Sequence, residues 1–105
     1  MKHEIKVPKR IKIGGIDYKV KADTEARHEL SSHSWRGSSS SVKREILIHN
    51  SDVYNQQDKS VTFLHELLHS ISDVYCANHV AEDDVDGLAN GLHQVLEKFG
   101  IRFVL

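Results

Sequence analysis

The segment His65-Glu66-Leu67-Leu68-His69 sets two imidazoles four residues apart around a carboxylate. In a helix, positions i and i+4 lie one above the other on the same face, so both rings can reach one ion. H-E-x-x-H on a helix is a zinc-binding pattern of metallopeptidases. Its histidines supply nitrogen ligands, and its glutamate takes a proton from a water that zinc acidifies toward a pKa of about 7. The flanking Leu64, Leu67, Leu68 and Ile71 place the segment near a core. Two histidines and a glutamate there cost free energy unless they are paired or hold a metal. The competing assignment for His65 and His69 is a pair of hydrogen-bonded histidines at the core boundary.

A catalytic zinc site needs a third protein ligand. The longer metzincin pattern requires glycine and histidine at positions 72 and 75. The chain has Ser72 and Tyr75 there, which excludes that class. The next helical stretch offers Glu82, Asp83, Asp84, Asp86, Asn90 and His93. If it folds back about a turn near Asn78, His69 lies level with Leu88 and His65 with Leu92. Residues 86 to 93 are then at metal height, and Glu82 lies beyond it. The order of preference is therefore Asp86, then Glu82, then His93. An acidic helix start also has a purely structural reading, because carboxylates favour the positive end of the helix dipole. That reading suits Asp83 and Asp84. His93 has two readings, an oxyanion donor or a histidine on the polar side of its helix.

The His65–His69 block, followed by Asp86-Gly87-Leu88-Ala89-Asn90-Gly91-Leu92, resembles the small phage and mobile-element metallopeptidases of the ImmA/IrrE type, a gluzincin-like group. The hairpin sequence Lys-Ile-Gly-Gly-Ile-Asp-Tyr-Lys-Val resembles short phage-encoded members. The resemblance covers most of the chain, and only the two helical blocks are specific. It implies a zincin-like fold with a small sheet on the active-site helix, zinc as cofactor, and a protein substrate such as a phage or mobile-element regulator. In that family a glutamate begins the second block and is the third ligand; here Asp86 stands in its place, one methylene shorter. Glu82-Asp83-Asp84-Val85-Asp86 also reads as E-x-x-x-D, which resembles the ligand helix of larger gluzincins. There the glutamate binds zinc and the aspartate orients a histidine. The short gap after His69 argues against that reading.

These residues need elements to hold them. Ile11 and Ile13, then Ile16, Tyr18 and Val20, alternate with polar residues across Gly14-Gly15, predicting a β-hairpin. Ile5 and Val7 extend its first strand, with Pro8 forcing an edge or a break. Ala22 to Leu30 holds a short helical turn, and Trp35 to Ser41 reads as a loop. Trp35 fits a cleft wall or, as a lone tryptophan, the core. Val42 to His49 reads as an edge strand, with Ile46 and Ile48 on one face and Leu47 on the other. In zincins such an edge pairs with an extended substrate. Asn55 is a helix N-cap, with Asp58 in the first turn. A helix runs from Gln56 to about Tyr75, and a second from about Glu82 to Phe99, stopped by Gly100. Ile101 to Leu105 is a short apolar tail that packs back on the core. The expected architecture is α+β: a small antiparallel sheet, hairpin plus edge strand, packed on two helices.

The 105 residues fit one domain, 1–105, with 39% hydrophobic residues for its core. A net charge of -1 and the lack of a basic stripe argue against nucleic acid as a partner. No apolar run suggests a membrane span, and the charged start from Met1 to Arg10 lacks a signal core. One cysteine, Cys76, points to a reducing cytoplasm and reads as a small residue at a helix end. The expected activity is zinc-dependent peptide hydrolysis, with metal at His65, His69 and Asp86 and with Glu66 as general base. The rival is a catalytically inactive protein-interaction module of phage or mobile-element origin, metal-bearing or metal-free. A closed set of four protein ligands would mark the metal-bearing form.

Overall fold

The computed structural model describes residues 3–105, so Met1 and Lys2, which begin the charged N-terminus noted above, lie outside it. Strands β1 (His3–Lys6), β2 (Arg10–Ile13) and β3 (Ile16–Lys21) open the chain, followed by helix α1 (Thr24–Ser32). Strands β4 (Gly37–Ser40) and β5 (Glu45–Ile48) follow. Helices α2 (Gln56–Tyr75) and α3 (Glu82–Lys98) and strand β6 (Ile101–Val104) complete the fold.

β2 and β3 form the expected hairpin, with Ile13 directly opposite Ile16. Gly14 and Gly15 have φ of 61° and 79°, the left-handed conformation that a two-residue hairpin turn demands. The sheet itself departs from expectation. Its order is β2-β3-β5-β4, and β3 pairs with β5 in parallel, so it is mixed rather than antiparallel. The parallel pairing needs a crossover, and α1 supplies it. This third helix begins at Asp23, whose carboxylate accepts the Ala26 N–H at 2.8 Å.

The segment expected to be a loop forms β4, which takes the sheet edge and leaves β5 in the interior. Gly37 to Ser40 lack any apolar alternation, so antiparallel pairing with β5, not side-chain pattern, makes them a strand. The apolar tail becomes β6, paired in parallel with β1 as a separate two-stranded sheet.

The two faces of β5 divide the core as their alternation requires. Ile46 and Ile48 join Ile13, Tyr18, Val20 and Phe63, with Leu67, Ile71 and Val74 of α2 packed against them. Leu47 points the other way, against Ala26 and Leu30 of α1. Among the described residues the fold is α+β, with three helices, a mixed four-stranded sheet and a parallel two-stranded one. Among the described residues, no helix is long and apolar enough to cross a membrane.

Candidate metal centre

Helix α2 starts at a reciprocal cap. Asn55 Oδ1 accepts the Asp58 N–H at 2.8 Å, and Asp58 Oδ2 accepts the Asn55 N–H at 3.3 Å. This satisfies donors that a helix start leaves without partners. Phe63, Leu67, Ile71 and Val74 turn one face of α2 to the core. Thr62, His65, Glu66, His69 and Asp73 turn the other to an open cleft of about 1190 Å³. Strand β4 forms one wall of this cleft, and Asn78, Val80, Glu82, Asp86 and Asn90 lie on the other.

Within the cleft, His65 Nε2 and His69 Nε2 stand 3.1 Å apart. Glu82 reaches both: Oε1 lies 3.0 Å from His65 Nε2, and Oε2 lies 2.6 Å from His69 Nε2. Among the described residues, His65, His69 and Glu82 form the group of donor atoms that could hold one metal ion, all within 4.8 Å of one another. Two imidazole nitrogens and one carboxylate are the donor set of a catalytic zinc site with an open position. The residues therefore fit zinc by their chemistry and convergence.

The carboxylate that converges with the two histidines is Glu82, which was expected second after Asp86. Asp86, placed first, approaches the opposite nitrogen of His65, with Oδ1 3.5 Å from Nδ1. Glu82 occupies the place expected of Asp86. The reason lies in the connection between the helices. Cys76 and Asn78 both donate backbone N–H groups to the Ser72 carbonyl, and Ala77 and Asn78 adopt positive φ. The chain then doubles back along α2 before α3 begins. Cys76 to Asn78 make the turn, and His79 to Ala81 bring Glu82 back level with His65 and His69. The E-x-x-x-D pattern carried the signal.

Glu66 points into the cleft between α2 and β4 and is 8% exposed. Burial pushes its carboxyl pKa above the ordinary value, opposed by His65, His69 and a hydrogen bond from Ser39. The wall behind it is close: a Cβ on Gly37 would lie 3.1 Å from Glu66 Cγ and 2.6 Å from Thr62 Cγ2. Gly37 and Ser39 carry no motif, so nothing in the sequence singled them out.

His93 fits neither expected reading. It is 2% exposed, and its Nε2 lies 2.9 Å from Ser60 Oγ, away from the cleft. Ser60 Oγ also accepts the Phe103 N–H at 3.0 Å, which ties α3, α2 and β6 together. Trp35 is half exposed on the cleft wall, stacked on His33 at 4.3 Å. Cys76 is the exposed C-cap of α2.

No protein-family model, curated protein or solved structure matches the chain.

Proposed function

We propose that this chain is a zinc-dependent peptidase, similar in design to the ImmA/IrrE-type metallopeptidases, acting on an extended segment of a protein substrate. The observation that carries the reading is the convergence of His65 Nε2, His69 Nε2 and the Glu82 carboxylate beside the buried Glu66. His65, His69 and Glu82 would hold the metal. When bound, zinc supplies Lewis-acid polarisation of a water molecule and of a carbonyl oxygen.

The rest is the work of the chain's own groups. Glu66 accepts the water proton as the oxygen bonds to the peptide carbon, then delivers it to the amine nitrogen as the C–N bond breaks. Its burial suits the first task, since a carboxylate whose pKa is raised is the stronger base. Asp86 positions His65 from its Nδ1 side, as carboxylates behind metal-binding histidines do. Strand β4 is the sheet edge and lines the cleft, so its free side offers backbone groups to an extended peptide.

Elemental analysis of untagged protein, followed by hydrolysis of an unstructured protein such as casein, tests the reading. The expected result is about one zinc per chain, lost in His65→Ala and Glu82→Ala. Asp86→Ala should weaken zinc affinity by roughly 10- to 100-fold. Glu66→Gln should keep the zinc and lose roughly 10²- to 10⁴-fold in hydrolysis. Protein that takes up no zinc when zinc is offered overturns the proposal. Zinc binding without hydrolysis by the wild type favours the inactive interaction module.

A further inference from the structure

Helix α3 buries Val85, Ala89 and His93. Beside that face runs a second apolar row that nothing among the described residues covers. Leu88, Leu92, Val95 and Phe99 are 58%, 41%, 51% and 67% exposed. At 3.6 residues per turn, these four positions fall within an arc of about 60° over three turns. Their number and alignment separate them from the single exposed apolar residues that any surface carries.

The row has a property that selects its partner. The steps between its members are four, three and four residues. That sequence of steps is the same in both directions, so the row is its own antiparallel complement. Phe99 can meet Leu88 of a second copy while Leu92 meets Val95, and the two-fold axis repeats both contacts. Alternating steps of three and four also describe the seam along which two helices interlock.

Charge and shape agree. Glu82, Asp83 and Asp84 occupy the first turn of α3, and Lys98 lies in the last. An antiparallel crossing brings acidic start toward basic end twice and opposes the helix dipoles, whereas a parallel crossing sets like charges together. Gly91 borders the row, and a Cβ there would meet nothing within 4 Å, so a second helix can approach closely.

We infer that two copies of this chain associate through α3, antiparallel about a two-fold axis, with Leu88, Leu92, Val95 and Phe99 as the shared contact. A closed two-fold contact of this kind uses the same patch on both copies. The metal-binding face of α2 is not required for it.

Sedimentation equilibrium of the zinc-loaded chain, from low to high micromolar concentration, tests the assignment. A reversible dimer is expected, and Leu92→Asp should raise its dissociation constant by at least about tenfold. Leu88→Asp, at a more exposed position, should act alike without altering the thermal melt at dilutions where the chain is monomeric, and Val53→Asp should change nothing. Lys98→Glu should weaken the dimer at low salt, and Asp84→Lys in the same chain should restore it. A monomer at every concentration overturns the inference. So does a dimer indifferent to both leucine variants, which would place the contact elsewhere. A dimer that Lys98→Glu leaves unchanged rejects the antiparallel arrangement.

Discussion

His49 and His93 are imidazoles that the fold keeps neutral. Burial lowers both pKa values, and for His49 the positive charges of Arg27 and Lys59 add to it. For His93, Glu97 works against burial and Arg102 with it. His49 Nδ1 accepts the Ser51 N–H at 3.2 Å, so the ring proton sits on Nε2 and is donated to Ser31 Oγ at 2.8 Å. Protonating Nδ1 would set two donors against each other. As pH falls below about 6.5, the unfolded chain takes up protons that these folded histidines refuse. Stability is therefore fully present above that value and is lost as pH drops toward the folded pKa values. Zinc-free protein should melt at progressively lower temperature from neutral pH to pH about 5. The fall should be shallower in His49→Gln and in His93→Gln. Equal slopes in all three proteins would contradict this account.

Strand β4 and helix α2 meet at a contact that only glycine permits. A Cβ on Gly37 would press on Thr62 Cγ2 of α2 at 2.6 Å and on the Leu47 carbonyl oxygen of β5 at 3.1 Å. The strand cannot yield easily, because Ser38 and Ser39 are paired with Leu47 and Ile46 of β5. Gly37→Ala should destabilise the protein by about 1–3 kcal/mol, the usual cost of overpacking. Thr62→Ser removes the offending methyl group and should recover part of that loss in a urea titration of the double variant. Destabilisation that Thr62→Ser leaves untouched would place the decisive contact at the Leu47 carbonyl oxygen or at Glu66 Cγ instead. The same closeness brings the Ser39 hydroxyl to Glu66, so a change at this boundary also reaches the candidate base.

Across the whole molecule, the candidate metal ligands come from α2 and α3, two helices that are also joined by Asp86 to His65, by Ser60 to His93 and by packing. An ion bound at His65, His69 and Glu82 would link the helices only in the folded state. Free zinc at a hundred times its dissociation constant should then add about 2.7 kcal/mol to stability. For a domain of this size that raises the melting temperature by roughly 10 °C or more. Glu82→Ala should remove most of that rise while leaving the zinc-free melt nearly unchanged, since Glu82 is largely exposed. A zinc-induced rise that survives Glu82→Ala would assign the binding to other histidines among the eight in the chain.

What was legible in the sequence follows from short-range physics. The limits of α2 at Asn55 and Tyr75, and the start of α3 at Glu82, came from caps and helical spacing within one segment. So did the Gly14-Gly15 hairpin and the placement of His65, Glu66 and His69 on one face. Leu47 and its isoleucine neighbours parted to opposite faces because a strand alternates. The remainder depended on how segments meet. Ser38 to Ser40 have no strand pattern of their own, and β5 supplies the pairing that makes them one. Parallel pairing of β3 with β5 depends on a crossover that residue periodicity does not reveal. Glu82, not Asp86, converges with His65 and His69 because the turn at Cys76 to Asn78 and the short return to Ala81 set the height at which α3 begins beside α2. A side chain's residue type and its place on a helix are local properties. The height at which one helix meets another is set by loop path and packing, and only the tertiary structure decides it.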